Sequence, residues 1–231
     1  MTSKTFLLIS LIAAFSLFSA AQAPRPTPVP IDKEPMHRLK LENEFARVFD
    51  VLVPVGAGSL FHTHVFDGVG VRVSDAQMAD ESIDGTKEDF TTRLGETSFG
   101  SSPEFSHRVM NRGKTDSRTI YIELLPSKSR PSKTTAIAPL TDAHIVEIDN
   151  ERVRVNRLIL KPGESSKPHT HKLSGLGVML YDSRVEITAP DGTRRIIDVK
   201  AGDFVWQAAG TAHTIKNVGK TVFEAIDVEI K

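Results

Sequence analysis

No cysteine occurs anywhere in the sequence. That excludes disulfides, thiolate metal ligands, a cysteine nucleophile and a lipid-modified N-terminal cysteine. An excess of charge is missing too. The 29 Lys and Arg residues balance 29 Asp and Glu, so no long-range field draws the chain to nucleic acid or an acidic membrane surface. No apolar run reaches the roughly 20 residues of a membrane-spanning helix. The longest candidate, Phe6 to Phe18, has thirteen. That length, with Lys4 before it and Ser19-Ala20-Ala21 after it, fits a secretory signal. Pro24 directly after Ala23 disfavours a cut there, so cleavage is expected after Ala21. The expected products are a signal peptide, 1–21, and a periplasmic or secreted chain with no stable membrane anchor. Pro24, Pro26, Pro28, Pro30 and Pro35 mark 22–36 as an extended tether.

The sequence does contain a repeat. His37 and His144 stand 107 residues apart, as do Arg47 and Arg154, Gly56 and Gly163, His62 and His169, His64 and His171, and Gly95 and Gly202. The offset falls to 106 for His107/His213, Asn111/Asn217 and Glu123/Glu229, because the first copy has one more residue around 101–105. All eight histidines fall into four such pairs.

Within each copy the pattern is β. Glu151 to Leu160 alternates and then becomes continuously apolar, Arg184 to Thr188 alternates, and Val222 to Ile230 is another long strand. Pro190-Asp191-Gly192-Thr193 reads as a hairpin turn. Proline, lysine, serine and threonine fill the connection between copies. The expected domains are a barrel over 37–125, a linker over 126–141 and a second barrel over 142–231, all-β, each closed or sandwiched.

His62-Thr63-His64 and His169-Thr170-His171 place two imidazoles on one face of a strand, their Cα atoms about 6.6–6.8 Å apart. With His107 and His213 they form two candidate three-histidine metal sites. Three neutral imidazoles leave coordination positions for water or substrate, a donor set that suits zinc or iron; nickel, copper and manganese are also candidates. His37 and His144 begin the first strand of each copy and read as strand-end residues. Trp206, Phe204 and Phe61 are candidates for lining a substrate site, and Asn111 and Asn217 for turn hydrogen bonds before Gly113 and Gly219.

These residues resemble the cupin superfamily, and the duplication resembles a bicupin. The family's first motif is glycine, five residues, His-x-His, three or four residues, glutamate. Gly56 to His64 and Gly163 to His171 match as far as the second histidine. Of the second motif, Gly202, Gly210, His213 and Asn217 match with Ala208 replacing proline, whereas the first copy keeps Gly95, His107 and Asn111 with altered spacing. The second copy is thus the better-kept site. The resemblance implies two tandem double-stranded β-helix (jelly-roll) barrels and one divalent transition metal per intact site.

The departure is chemical. Gly68-Val69 and Gly175-Leu176 stand where the family has its glutamate ligand. Asp67, one position early, has only Ser174 as its counterpart. No side chain in the motif stretches is an evident general base. The resemblance implies a metal-dependent oxygenase-type enzyme acting on a small enolisable or hydroxylated compound, with metal-assisted hydrolysis or isomerisation on the same ligands. The alternative is a non-catalytic cupin that binds a small ligand or has a structural role. Either form is compatible with a monomer or a homo-oligomer.

Overall fold

The alternating and the continuous apolar runs both become strands in the computed structural model, which describes residues 26–101, 104–126, 140, 141 and 143–231. The expected signal peptide, 1–21, lies outside the described residues, as do 127–139 of the expected linker and 142, the first residue of the expected second barrel. Barrel 1 contains β1 (Val29–Pro30), β2 (His37–Glu42), β3 (Ala46–Val53), β4 (His62–His64), β5 (Gly68–Arg72), β6 (Ala76–Ser82), β7 (Lys87–Thr92), β8 (Thr97–Gly100), β9 (Phe105–Asn111) and β10 (Ser117–Leu124). Barrel 2 contains β11 (His144–Asp149), β12 (Val153–Leu160), β13 (His169–Thr170), β14 (Gly175–Met179), β15 (Ser183–Thr188), β16 (Arg194–Val199), β17 (Phe204–Gln207), β18 (Ala212–Asn217) and β19 (Phe223–Ile230). One 3-10 turn, Ile31–Lys33, is the helical element among the described residues, and no described helix is long and apolar enough to cross a membrane.

Each barrel is a pair of sheets, ordered β2-β3-β10-β5-β8 and β1-β4-β9-β6-β7 in barrel 1. In barrel 2 the orders are β11-β12-β19-β14-β17 and β13-β18-β15-β16. Apart from β1 the two copies share one topology, so the sequence repeat is a repeat of fold: two tandem jelly-roll barrels. The extra residue of the first copy lies in the loop before β9 and leaves the pairing intact. His62 faces His107 in barrel 1 just as His169 faces His213 in barrel 2. Asn111 and Asn217 close the following turns as expected, each accepting from the glycine amide two residues on at 2.9 Å.

The expected tether is shorter than 22–36. Val29 and Pro30 pair in parallel with His62 and Thr63, and Ile31 is 2% exposed within the barrel 1 core. Proline signals extended backbone, and an edge strand uses that backbone equally well. Residues 29–36 are therefore part of barrel 1.

The strands β10 and β19 alternate in sequence, yet both of their faces are largely buried. Ile120, Ile122 and Leu124 point out of barrel 1 against Ile226, Val228 and Ile230 of barrel 2, in one cluster shared by the two copies. Polar groups pin its rim. Arg118 pairs with Asp50 at 2.8 Å and donates to Ala201 O at 2.9 Å in the other barrel. At the equivalent places the signs are reversed: Arg157 pairs with Glu224 and donates to Gly95 O. Gly95 and Gly202 have φ of 83° and 81°, and a Cβ at either would meet the arginine of the opposite barrel.

The interiors of the barrels differ. In barrel 2 the end away from the histidines is filled by Leu158, Leu160, Met179, Val185, Val199, Phe223 and Ala225. The equivalent positions of barrel 1 hold Val51, Val53, Arg72, Met78, Thr92, Ser117 and Thr119. All seven line a cavity of about 340 Å³. Shortening Phe223 to Ser117 removes the largest single plug, and barrel 1 is hollow where barrel 2 is solid.

Candidate metal centre

The alternation of β4 and its pairing with β9 bring His62, His64 and His107 to one wall of the barrel 1 cavity. The ring centroids lie 4.6 Å (His62–His107), 5.0 Å (His62–His64) and 5.1 Å (His64–His107) apart. His37 joins them from β2, 4.5 Å from His62, and its donor atom lies within 4.8 Å of those of His62 and His64. It is a member of the cluster and not merely a strand-end residue. The signal for it was its place in the fourth histidine pair.

The donor set fits a cation. His62 Nδ1 donates to Leu60 O at 3.0 Å, His37 Nδ1 to Glu34 at 2.7 Å, and His107 Nδ1 to Asp80. Each of these rings points Nδ1 at an oxygen acceptor, so a ring with a single proton holds it there and leaves its Nε2 lone pair on the inward side. His62 Nε2 is buried without any hydrogen-bond partner. His64 and His107 bring their Nε2 atoms within 3.2 Å of each other. Two imidazoles on one ion at 2.0–2.1 Å would be about 2.9–3.4 Å apart for octahedral to tetrahedral angles. His64 Nδ1 meets Tyr121 Oη at 3.0 Å, and a phenol can accept or donate. His64 can therefore keep a proton on Nε2 in the metal-free protein and move it to Nδ1 when its lone pair is needed.

The place of the missing glutamate is filled. On β5, Gly68 and Gly70 face inward while Val69 and Val71 pack in the inter-barrel cluster. A Cβ at Gly68 would overlap Tyr121 Oη. The phenol thus occupies the volume a family glutamate would need. Burial raises its pKa, the nearby Glu123 and Asp67 charges adding to the effect, so it stays a neutral hydroxyl. Asp67 itself pairs with Arg152 of barrel 2 at 3.3 Å and is no ligand.

Barrel 2 repeats the cluster with other supports. His169, His171 and His213 gather their donors within 4.8 Å, and the Nε2 atoms of His171 and His213 are 3.4 Å apart. His144 stands 5.2 Å from His169, ring to ring, with its Nε2 3.5 Å from Asp227. Thr141 replaces Glu34, Ile187 replaces Asp80, and Asp227 replaces Tyr121. The carboxylates that fix two tautomers in barrel 1 are thus absent at the same places in barrel 2. The second copy keeps the motif better and its three expected histidines gather together; barrel 1 differs in having carboxylates behind two of its rings and an adjoining cavity.

Three further expectations are corrected. Phe204 and Trp206 do not line the barrel 1 cavity; they pack on the inter-barrel cluster, with Trp206 stacked on Phe45 at 5.8 Å. Alternation is the reason. Val205 and Gln207 take the inward positions of β17, and Gln207 donates to the buried Asp227 at 3.0 Å. Phe61 precedes β4 and lies under Arg108, whose Cζ is 4.8 Å from its centroid, outside the cavity lining. Trp206→Ala is accordingly expected to lower stability by roughly 2 kcal/mol, below a full core truncation because the ring is only half-buried. Metal content should be unchanged. Urea unfolding and elemental analysis of the same preparation check both, and metal loss at intact stability would restore Trp206 to the site.

Burial, followed by neighbouring imidazoles, pushes His62 down to about 4 and His64 to about 2, and does the same to His213, at about 4. His169 and His171 are lowered too, burial again leading. The rings are therefore neutral ligands at neutral pH. The unfolded chain has ordinary histidines near 6.5. Above that pH neither state is protonated. As pH falls from 6.5 towards 4, the unfolded chain takes up protons that the folded one refuses. Stability of the metal-free protein should drop across that window, by about 1.4 kcal/mol per pH unit for each such histidine. Urea midpoints at pH 7.5, 6 and 5 read it directly, and a flat series would contradict the burial of neutral rings.

With this geometry in hand, comparison with known proteins is informative. Residues 156–229 match the family model described as a cupin domain. No curated protein matches the sequence. Among solved structures, AerE from Microcystis aeruginosa is 12% identical, covering 86% of this chain and 98% of its own, with a TM-score of 0.59. Bacillus subtilis oxalate decarboxylase, a protein with Mn(II) centres, is 12% identical over 81% of this chain and 69% of its own, with a TM-score of 0.54. YhaK from Escherichia coli is 12% identical over 85% and 92%, with a TM-score of 0.55. At such identities the likeness is one of fold, and it extends across both barrels. Residues 156–229 are a cupin domain, and the whole chain has a bicupin-like fold, two tandem barrels each holding a cluster of histidines.

Proposed function

We propose that barrel 1 is the working half of an exported metalloenzyme, one divalent ion held by His62, His64 and His107 with His37 alongside. The reaction is oxygenase-type, on a small enolisable or hydroxylated compound. The observation that carries this reading is the convergence of bare, buried imidazole nitrogens on the wall of a 340 Å³ cavity. Iron or zinc suits an all-imidazole set best; nickel and copper are next, and manganese, which favours oxygen donors, is last. When bound, the ion supplies Lewis acidity and open positions for substrate. The chain's own residues do the rest. Asp80 and Glu34 hold the outer protons of His107 and His37, a support whose loss typically costs 10–100-fold in metal affinity. Tyr121 offers a neutral hydroxyl beside His64, and Phe66, Phe90 and Phe99 give the cavity an apolar lining.

Barrel 2 suits the second, non-catalytic reading, because apolar side chains fill its floor. Its cluster would hold a structural ion. Untagged protein loaded with Fe(II) is expected to consume oxygen with at least one member of a panel of diketones, phenolic acids and hydroxy acids, and His64→Ala to abolish uptake. Full metal loading with no uptake across the panel would remove the oxygenase assignment in favour of a metal-assisted hydrolase or a binder.

A further inference from the structure

One charged side chain inside the barrel 1 cavity, Arg72, takes no part in the histidine cluster. Arg72, the last residue of β5, lines the cavity wall among Thr92, Ser98, Ser117 and Thr119. Among the described residues its guanidinium forms no ion pair within 4.0 Å, and its side-chain hydrogen bond goes to Thr119 Oγ1 at 3.0 Å. A guanidinium has five N–H donors in a planar fork. A charge so enclosed is costly without a counter-ion. Burial lowers its pKa, against a smaller opposing pull from Glu96, yet arginine stays protonated at any ordinary pH.

The head group also points in a useful direction. Arg72 Cζ lies 3.8 Å from where a Cβ on Gly70 would be, so the side chain folds back along β5 towards the histidines. Gly68, two residues further back, is covered by Tyr121, which contacts His64. Inward-facing neighbours on a strand are about 6.6–6.8 Å apart, the reach of a small organic molecule. Barrel 2 has Met179 at this position, packed in its solid floor. The charge therefore accompanies the cavity.

We propose that Arg72 is the anion anchor of barrel 1, binding the carboxylate of a small organic acid whose other end reaches the histidine cluster. The guanidinium fork matches two carboxylate oxygens, the serine and threonine hydroxyls beside it offer further hydrogen bonds, and Met78, Phe90 and Val109 enclose the carbon skeleton. This rests on the metal reading only for the ligand's far end. Capture of the acid by Arg72 is a property of the metal-free protein as well.

Calorimetric titration of the full mature chain, metal-free and zinc-loaded, tests it with propionate, malonate, succinate, benzoate and the corresponding amides. At least one acid should bind saturably and its amide roughly tenfold or more weaker, the scale of a charged hydrogen-bonded pair. Arg72→Met copies the residue of the other barrel and should weaken that acid by a similar factor while leaving the amide unchanged; Arg72→Lys should fall between. Ser117→Phe, which copies the plug of barrel 2, should abolish binding of both. Comparing acid with amide on wild type needs no variant to fold. Equal affinity for acid and amide, no saturable acid binding, or an unchanged acid affinity in Arg72→Met overturns the assignment. Arg72-dependent acid binding in a protein that takes up no zinc would sink the metal reading and leave this one standing; zinc bound with acids indifferent to Arg72 would do the reverse.

Discussion

His62→Ala/His64→Ala should lower bound transition metal by about one ion per chain, with His169→Ala/His171→Ala leaving the barrel 1 ion in place. Bound divalent metal at an all-protein site is worth of the order of 10 kcal/mol, and removing two imidazoles leaves His107 and His37 facing each other across a gap. No carboxylate is placed to substitute: Asp80 and Glu34 already accept from His107 and His37 on their outer sides. The loss should thus exceed what any outer-sphere change causes. Elemental analysis of untagged, zinc-reconstituted protein gives the count. Equal metal in wild type and the barrel 1 variant would show that the inward lone pairs are not ligands.

The second large effect concerns the solid barrel. Phe223→Ala should cost about 3–5 kcal/mol in urea unfolding. Phe223 is 1% exposed and packs with Leu158, Leu160, Met179 and Val199. Leu158, Leu160 and Met179 sit on β12 and β14, whose outer faces pack in the inter-barrel cluster, so they cannot readily collapse into the void. Ser117→Ala, the same position of barrel 1, should cost less than about 1 kcal/mol because the hydroxyl borders an existing cavity. Similar losses for both variants would mean that the two interiors are not filled differently.

Much of this architecture was legible in the sequence, and the reasons are specific. A repeat at an offset of 107 and then 106 carries pairing information: where His62 faces His107, His169 must face His213, and both registers hold. Alternation located the long strands and the turn glycines. What it could not supply was the face. Trp206 and Phe204 were marked by aromatic character, but with Gln207 inward, period 2 sends them to the inter-barrel seam. Spacing around His213 made the motif legible in barrel 2, but it says nothing of Ser117 against Phe223, and so nothing of the cavity in barrel 1. The missing glutamate was visible as Gly68; the phenol in its place comes from Tyr121, fifty-three positions on, and only β5–β10 pairing brings the two together. Arg72 carries no motif at all. Its meaning comes from standing in a cavity where its counterpart, Met179, stands in a core.

The central claim, that barrel 1 is the half whose metal cluster opens on a substrate-sized cavity, is tested most directly by anomalous diffraction from crystals of the protein reconstituted with zinc. The account predicts an anomalous peak within about 2.0–2.1 Å of the Nε2 atoms of His62, His64 and His107, facing the cavity that Arg72 lines. A peak confined to His169, His171 and His213, with none in barrel 1, would contradict it.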